Sequence, residues 1–462
     1  MDFRGKRVTV VGLGIEGVDG VRFFVGRGAH VTVTDIKSPS QLAHRLAQIK
    51  GLPVRLFLGG HDPEVVEGAD YVYVSQGVPL DLPIVDAARR RGVPILSMLS
   101  LYMEMCPGPI VGITGSSGKT TTTALVGRMM EAEGLPHLVG GNIGVGLLGQ
   151  LPRVRPYTWS VLEVSHTQLQ HLRRSPHVGA VLNITPNHLD RFTWEEYKAL
   201  KARMVSCLGP GDWAVLGYDD PEARALAAQT GERSVFFSLL GEVERGVGVR
   251  GSKAWWFWEG RAMPLFPLSS VRLRGQHNLQ NALAAAAVAR LCGVSSQAIA
   301  RAVATFQGVA HRLELVATVG GVAYYNDSIA TTPQRTLAAL RAFQEPIILL
   351  LGGRDKNLPL EELAEEALRR CRAVVAFGES GPKLEAALRE AAARGQGAAA
   401  ILKVDGLSEA VEAAQAMARP GDVVLLSPAC TSFDAYQNFE ERGQHFRELV
   451  GRLAREEMVA WR

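Results

Sequence analysis

Seven consecutive residues have the types and spacing to hold a triphosphate: Gly115, Ser116, Ser117, Gly118, Lys119, Thr120 and Thr121. Glycines let the backbone wrap closely around an anion, and amides at the start of the following helix point at it. Lys119 can reach the β- and γ-phosphates, and the Thr120 hydroxyl can bind Mg²⁺. The spacing is a short G-x-x-G-K-T-T form, because Ile113 stands where the longer G-x₄-G-K form needs its first glycine. An ordinary strand-to-helix turn is the bland alternative. The apolar strand before the loop, the glycines, the lysine and the threonine together weigh against it.

A nucleoside triphosphate brings Mg²⁺, which takes oxygen ligands and keeps several waters. Glu163 closes an apolar run and is the first candidate ligand, because α/β sheets place such groups at the ends of strands. Asn183, Asn187, His188 and Asp190 cluster after the next apolar run. Each alone reads as a solvated loop residue, and Asp190 as a loop cap, but together they can line one cleft. Further on, Thr193-Trp-Glu-Glu196 is a capping box. Trp194, Tyr197, Lys201, Val205 and Leu208 then recur on one helical face. Lys201 interrupts that apolar stripe. By pattern alone it snorkels to water. If buried, it would lose its proton more easily, and a neutral lysine can take up CO₂ as a carbamate.

Apolar runs at Val8–Val11, Val31–Thr34 and Tyr71–Ser75 predict a parallel βαβ sheet. Gly12-x-Gly14-x-x-Gly17 and Asp35 belong to it. Taken alone they would suit a Rossmann dehydrogenase. Runs at Pro109–Thr114, Trp159–Val164 and Ala180–Ile184, a hairpin within 241–270 and an Ala-rich helix at Asn278–Leu291 predict a second unit. A third contains Ile347–Leu351, Val374–Phe377, Val423–Leu426 and a helix at Leu360–Arg370. The expected class is α/β in three domains: Rossmann-like over 1–98, P-loop ATPase-like over 99–308 and Rossmann-like over 309–462. A chain of 462 residues has room for this. Its net charge of +4 creates no strong field toward nucleic acid. Five cysteines with no CxxC pair fit a reducing cytosol better than a disulfide framework. The N-terminus lacks a signal-peptide layout, and the alanine run at 282–289 is too short to span a bilayer.

Longer motifs now join the phosphate loop: EVS (163–165), LNITPNHLDR (182–191), YKALKAR (197–203), HNLQNALAA (277–285), HRLE (311–314), NDSIATTP (326–333), LLLGGRDK (349–356) and LSPACTSFDAYQNFEERG (426–443). Across nearly the whole chain this set resembles the Mur ligases, in particular those that add D-glutamate. The resemblance implies a cytoplasmic, ATP-dependent ligase of peptidoglycan synthesis. It would be a monomer without nucleic-acid or membrane partners, joining D-glutamate to UDP-N-acetylmuramoyl-L-alanine through an acyl phosphate. It implies two Mg²⁺ ions, held by Thr120, Glu163, His188 and a carbamoylated Lys201. Lys119, His188 and Lys201 would be catalytic. Asn278, Asn281, Arg312 and Asp327 would serve ATP. Gly14, Ile15, Asp35, Ile36, Gly77 and Asn142 would hold the UDP-sugar, and Thr331, Lys356, Ser432 and Phe439 the amino acid. Three places depart from the family pattern: Ser75-Gln-Gly77 for SPG, Ser165-His-Thr-Gln168-Leu for SSFQL, and Ile329 for a lysine. Another acceptor amino acid, or a nucleotide-binding relative without catalysis, are the other readings of the same resemblance.

Overall fold

The computed structural model describes residues 1–142, 146–172, 174–187, 192–395 and 397–460. They form two compact units. One is Met1–Arg272 with Gln276–Phe306, and the other is Leu273–Gly275 with Gln307–Arg462.

The first unit contains two sheets. The five-stranded sheet is parallel, in the order Val54–Leu58, His30–Asp35, Arg7–Val11, Tyr71–Val74, Ile95–Leu96. Its β-branched inner strands are largely buried, as parallel strands joined by helical crossovers tend to be, while the edge strand Val54–Leu58 is mostly exposed. Side chains alternate across the pleat. Val8 and Val10 therefore join one apolar cluster, while Val11 joins Val72, Val74 and Ile84 in another. The strand order reverses between Arg7–Val11 and Tyr71–Val74, so the turns after these two strands open on one crevice.

The nine-stranded sheet runs Arg261–Pro267, Lys253–Trp258, Gly246–Arg250, Ser234–Phe237, Trp213–Gly217, Val178–Val181, Ile110–Thr114, Trp159–Glu163, His137–Gly141. Its first two pairings are antiparallel and the rest parallel, so the hairpin expected within 241–270 is a three-stranded meander extending the sheet. The strand expected at Ala180–Ile184 starts earlier and ends at Val181. Leu182 to Thr185 then form an irregular segment with backbone groups to spare. The two sheets share a continuous core. Phe24 and Tyr73 on one side and Leu162 and Tyr197 on the other belong to one cluster, bridged by Leu99, Leu101 and Tyr102 of the helix Met98–Met105. Ser97 caps that helix in a capping box with Ser100.

The second unit has one sheet, ordered Glu314–Val319, Val322–Asn326, Val423–Ala429, Ile347–Gly352, Cys371–Phe377, Ala400–Lys403, and parallel except at the first pair. Its central strand, IILLLG, is wholly buried. Leu349 and Leu351 face one cluster, and Ile348 and Leu350 the other. Among the described residues no helix is long and apolar enough to cross a membrane.

A fully buried arginine ties together the strand ends of this second unit. Arg442, on the helix Phe439–Ala460, is 0% exposed. Its Nε donates to the Ser328 hydroxyl at 3.0 Å and Nη2 to the Ser328 carbonyl at 2.9 Å. Nη1 donates to the carbonyls of Gly352, Cys430 and Thr431, each at 3.2 Å. Burial pulls its pKa down to about 10, so it remains charged at neutral pH. Replacing it leaves several buried carbonyls without donors, each at a cost of about 1–3 kcal/mol. Arg442→Leu should therefore destabilise this unit by about 3–5 kcal/mol. Denaturant unfolding followed on a probe in 307–460 checks this, and an unshifted midpoint would refute the tie.

Candidate active site

The strand Ile110–Thr114 delivers the chain into the phosphate loop, and the helix Lys119–Glu133 leaves it. Gly118 takes φ +81°, and a Cβ there would collide with the amide oxygen of Asn281. Glycine is thus required by both backbone and space. The irregular segment after Val181 clamps the loop. The Ser116 amide donates to the Asn183 carbonyl at 3.0 Å, and the Ser117 amide to Asn183 Oδ1 at 2.9 Å. The Ser116 hydroxyl donates to the Thr185 carbonyl at 2.9 Å and lies 3.1 Å from the Tyr197 hydroxyl. The amides of Ser116 and Ser117 are therefore engaged. The amides of Lys119, Thr120 and Thr121 open the helix and have no carbonyl within it to meet, which is where a helix offers donors to an anion.

Two ammonium groups converge under this loop. Lys119 Nζ donates to the carbonyls of Gly115 at 2.9 Å and Ser116 at 3.3 Å. Lys201 Nζ donates to the same Gly115 carbonyl at 3.0 Å and to the Thr114 hydroxyl at 3.1 Å. Lys201 is 1% exposed, so the snorkelling reading is overturned. Its helix, Trp194–Ala202, is capped by Thr193 and turns this face inward onto the strand ends, with the Tyr197 ring 5.3 Å from the ammonium. Val205 and Leu208 lie beyond the end of the helix. Burial first, then repulsion from Lys119, lower the Lys201 pKa to about 7, and Glu163 opposes the shift.

Glu163 ends the strand Trp159–Glu163 and is 3% exposed. Its Oε1 accepts from Asn142 Nδ2 at 2.9 Å, and among the described residues its Oε2 has no donor. A buried carboxylate oxygen without a partner fits a cation, since such an atom is otherwise costly. Among the described residues no three His, Cys, Asp or Glu cluster as a metal cage. Mg²⁺ does not need one when phosphate oxygens and water complete its shell. His188 and Asp190 lie outside the described residues.

Asn142 leads from Glu163 to the five-stranded sheet. Its Oδ1 accepts from Gln76 Nε2 at 2.7 Å, which also reaches the Ser165 hydroxyl at 3.2 Å. The Gln76 amide donates to Glu16 Oε2 at 2.9 Å, and Gln168 Nε2 donates to Glu16 Oε1 at 3.2 Å. Burial raises the Glu16 pKa. Gln76 and Thr167, both at departures from the family pattern, line a cavity of about 600 Å³ with Glu16, Gly77, His166 and Gln168.

The turn Gly12–Gly17 opens on the same crevice. A Cβ on Gly17 would collide with the Gly12 carbonyl. Asp35 spends its oxygens on this region: Oδ2 accepts from the Leu13 amide at 2.7 Å and Oδ1 from the Lys37 amide at 2.9 Å. Ile15 and Ile36 are exposed apolar side chains at 44% and 69%, available to cover a flat ligand.

Asn281 is placed against the phosphate loop. It is 6% exposed and donates to Asn278 Oδ1 at 3.0 Å. Both belong to the helix Gln276–Leu291. A second cavity, of about 350 Å³, adjoins the loop and is lined by Ser117, Asn183, Asp219, Phe237, His277 and Asn281. The sequence reading assigned no role to Asp219, Phe237 or His277. Only the HNLQN motif marked one of them.

The other expected residues belong to the second unit. Asp327 is buried, accepts from the Ser427 hydroxyl at 2.8 Å and the Leu313 amide at 3.2 Å, and is pushed up to about 7 by burial. Arg312 is close enough to oppose that shift. Lys356 Nζ donates to the Thr331 hydroxyl at 3.2 Å. The loops carrying Lys356 and Ser432 are joined by paired backbone bonds between Arg354 and Thr431. Phe439 packs edge-on to His311, and its carbonyl accepts from the Ser328 hydroxyl at 2.8 Å.

Three family descriptions match the chain: "Mur ligase MurD-like, N-terminal domain" over residues 6–97, "Mur ligase middle domain" over 113–289 and "Mur ligase, glutamate ligase domain" over 311–430. The chain belongs to the Mur ligase family. Among its relatives is a UDP-N-acetylmuramoylalanine–D-glutamate ligase of Symbiobacterium thermophilum, 42% identical and covering 97% of this chain and 98% of that one. The protein of the same description from Pelotomaculum thermopropionicum is 44% identical at the same coverages. The fold is shared with the UDP-N-acetylmuramate-alanine ligase of Thermotoga maritima, at TM-score 0.57 and 19% identity, covering 96% of this chain and 99% of that one. It is also shared with MurF of Acinetobacter baumannii, at TM-score 0.57 and 19% identity, covering 92% and 91%.

In this Mur ligase the buried lysine has a consequence for stability. The unfolded chain holds the Lys201 proton up to its ordinary 10.5, whereas the folded chain releases it near 7. Between these values the unfolded state binds more protons, so folding gains stability as pH rises. In metal-free, CO₂-purged buffer, wild type should gain stability relative to Lys201→Met from pH 7 toward 10. Parallel unfolding midpoints across that range would contradict the burial of the ammonium.

Proposed function

We propose that this Mur ligase joins D-glutamate to UDP-N-acetylmuramoyl-L-alanine at the expense of ATP, in the cytoplasmic stage of peptidoglycan synthesis. The observation that carries the reading is the convergence of Lys119 and Lys201 on one loop carbonyl beside the unmatched oxygen of Glu163. The full-length D-glutamate-adding relatives supply the substrates. Residues 1–98 take the UDP-sugar, with Gly14, Ile15, Ile36 and Gly77 against the nucleotide and Asp35 shaping its turn. Residues 99–308 take ATP, with the adenosine in the cavity by Asn183, His277 and Asn281. Residues 309–462 take the amino acid, through Thr331, Lys356, Ser432 and Phe439. Arg312 and Asp327 act on the nucleotide side. The protein works as a monomer and needs no nucleic-acid partner.

Two anions must meet in the first step. The alanyl carboxylate attacks the γ-phosphorus, ADP leaves, and an acyl phosphate forms. Lys119 and the amides of Lys119, Thr120 and Thr121 hold the transferring group and spread its charge. Thr120, Glu163 and His188 would hold Mg²⁺, with Lys201, once carbamoylated, offering oxygens to a second ion. Such ions supply charge neutralisation at the phosphoryl oxygens. A lysine with a pKa near 7 is partly neutral at physiological pH, which carbamate formation requires. In the second step the D-glutamate amine attacks the acyl carbon, phosphate leaves, and the amine loses a proton.

Phosphate release with UDP-N-acetylmuramoyl-L-alanine, ATP and Mg²⁺ should require D-glutamate and be unsupported by L-lysine or D-alanyl-D-alanine. Lys119→Ala should reduce it roughly 100-fold or more. A ¹³C carbamate signal raised by labelled bicarbonate should disappear in Lys201→Met. Turnover with another amino acid and none with D-glutamate would overturn the substrate assignment.

A further inference from the structure

We propose that Arg335 is a specificity-determining residue of the amino-acid site, binding one carboxylate of the incoming dicarboxylic amino acid while Lys356 binds the other. The inference deepens the reading of the function just given and rests on it. Arg335 lies in the first turn of the helix Pro333–Leu340, and its Nη1 donates to the Ile329 carbonyl at 3.0 Å. The same carbonyl accepts the Thr331 amide at 2.9 Å, and the Thr331 hydroxyl accepts Lys356 Nζ at 3.2 Å. Two exposed cations thus flank the single segment Ile329–Thr331, one held by its backbone and one by its side chain. They are near enough for charge to be felt there: burial first and then Arg335 depress the Lys356 pKa, and burial first and then Arg312 depress that of Arg335, which Asp327 opposes.

Both side chains present their charge without a direct ion pair among the described residues, although the buried Asp327 acts on Arg335. In the same unit Arg341, Arg354, Arg372, Lys383 and Arg447 each pair with a carboxylate. Among the described residues neither Arg335 nor Lys356 does. Two like charges brought together repel, and such an arrangement is costly unless an anion visits. Arg335 reaches the site with one nitrogen on a carbonyl, leaving the rest of its donor fork for a planar carboxylate. Two cations either side of Thr331 match an amino acid with two carboxylates. A neutral or basic amino acid would leave one or both unmatched, which is how a site rejects the wrong ligand.

The test is steady-state kinetics of the full-length protein with Mg²⁺, ATP and UDP-N-acetylmuramoyl-L-alanine, varying D-glutamate and its two monoamides, D-glutamine and D-isoglutamine. Arg335→Ala should raise the KM for D-glutamate roughly 10- to 100-fold, the scale of one charge-assisted pair. The KM values for ATP and the UDP-sugar should stay near wild type. The preference for D-glutamate over one of the two monoamides should collapse. Arg335→Lys should restore part of the loss, and Ile329→Lys in the Arg335→Ala background should recover D-glutamate use, since it returns a cation beside the same segment. An unchanged D-glutamate KM, or a loss spread equally over all three substrates with both selectivities intact, would overturn the proposal. If wild type uses a different acidic amino acid, the D-glutamate reading falls, and the same shifts for that substrate still support Arg335. If wild type uses a neutral or basic one, both fall.

Discussion

A single carbonyl oxygen, that of Gly115, receives two lysine side chains, and the rest of the first unit is arranged to make this tolerable. Lys119 comes from the start of the following helix and Lys201 from a helix far along the chain. Burial and mutual repulsion leave Lys201 poorly able to keep its proton, while Glu163 supplies opposing charge. The result is a pocket rich in positive potential, with Glu163 as an opposing charge. That suits a reaction in which a carboxylate must approach a triphosphate, because two anions meet only where cations offset their repulsion.

The same carboxylate is connected to the crevice of the other sheet. Glu163 is held by Asn142, Asn142 by Gln76, and Gln76 through its amide by Glu16, which Gln168 also holds. Every link is a hydrogen bond of ordinary length, buried or part-buried except the one between Gln76 and Asn142, which is exposed. The turns after Val11 and Val74 open at the strand-order reversal, and a ligand there would touch the chain of contacts that ends on Glu163. The shared apolar core beneath holds the two sheets in one unit, so the register of this polar chain does not depend on loops alone.

What the sequence made legible was local. The phosphate loop carries its own signature, because glycines, lysine and threonine act at fixed offsets from one strand and one helix. Glu163 was readable from its place at the end of an apolar run. Lys201 was not, because a periodic stripe shows which residues share a face but not whether the face meets water or the end of a sheet. The strand at Val178–Val181 ended earlier than its apolar run, and that shift freed Asn183 to clamp the loop. Asp35 was legible as the acidic residue of a Gly-rich turn, but not that its two oxygens accept the amides of Leu13 and Lys37. Arg442 lay inside a recognised motif, but nothing in its spacing marked a buried knot of carbonyls. Gln76 and Thr167 were visible only as departures from a pattern. Their meeting in one cavity needed the fold.

The account stands on phosphoryl transfer to a carboxylate in the pocket under Gly115. Positional isotope exchange reads that step without the second. ATP carrying ¹⁸O in its β,γ-bridge is incubated with the protein, Mg²⁺ and UDP-N-acetylmuramoyl-L-alanine, with D-glutamate left out. Reversible acyl-phosphate formation should scramble the label into the β-nonbridging positions, and Lys201→Met should abolish the exchange. Scrambling at the wild-type rate in that variant would mean that the reaction occurs elsewhere.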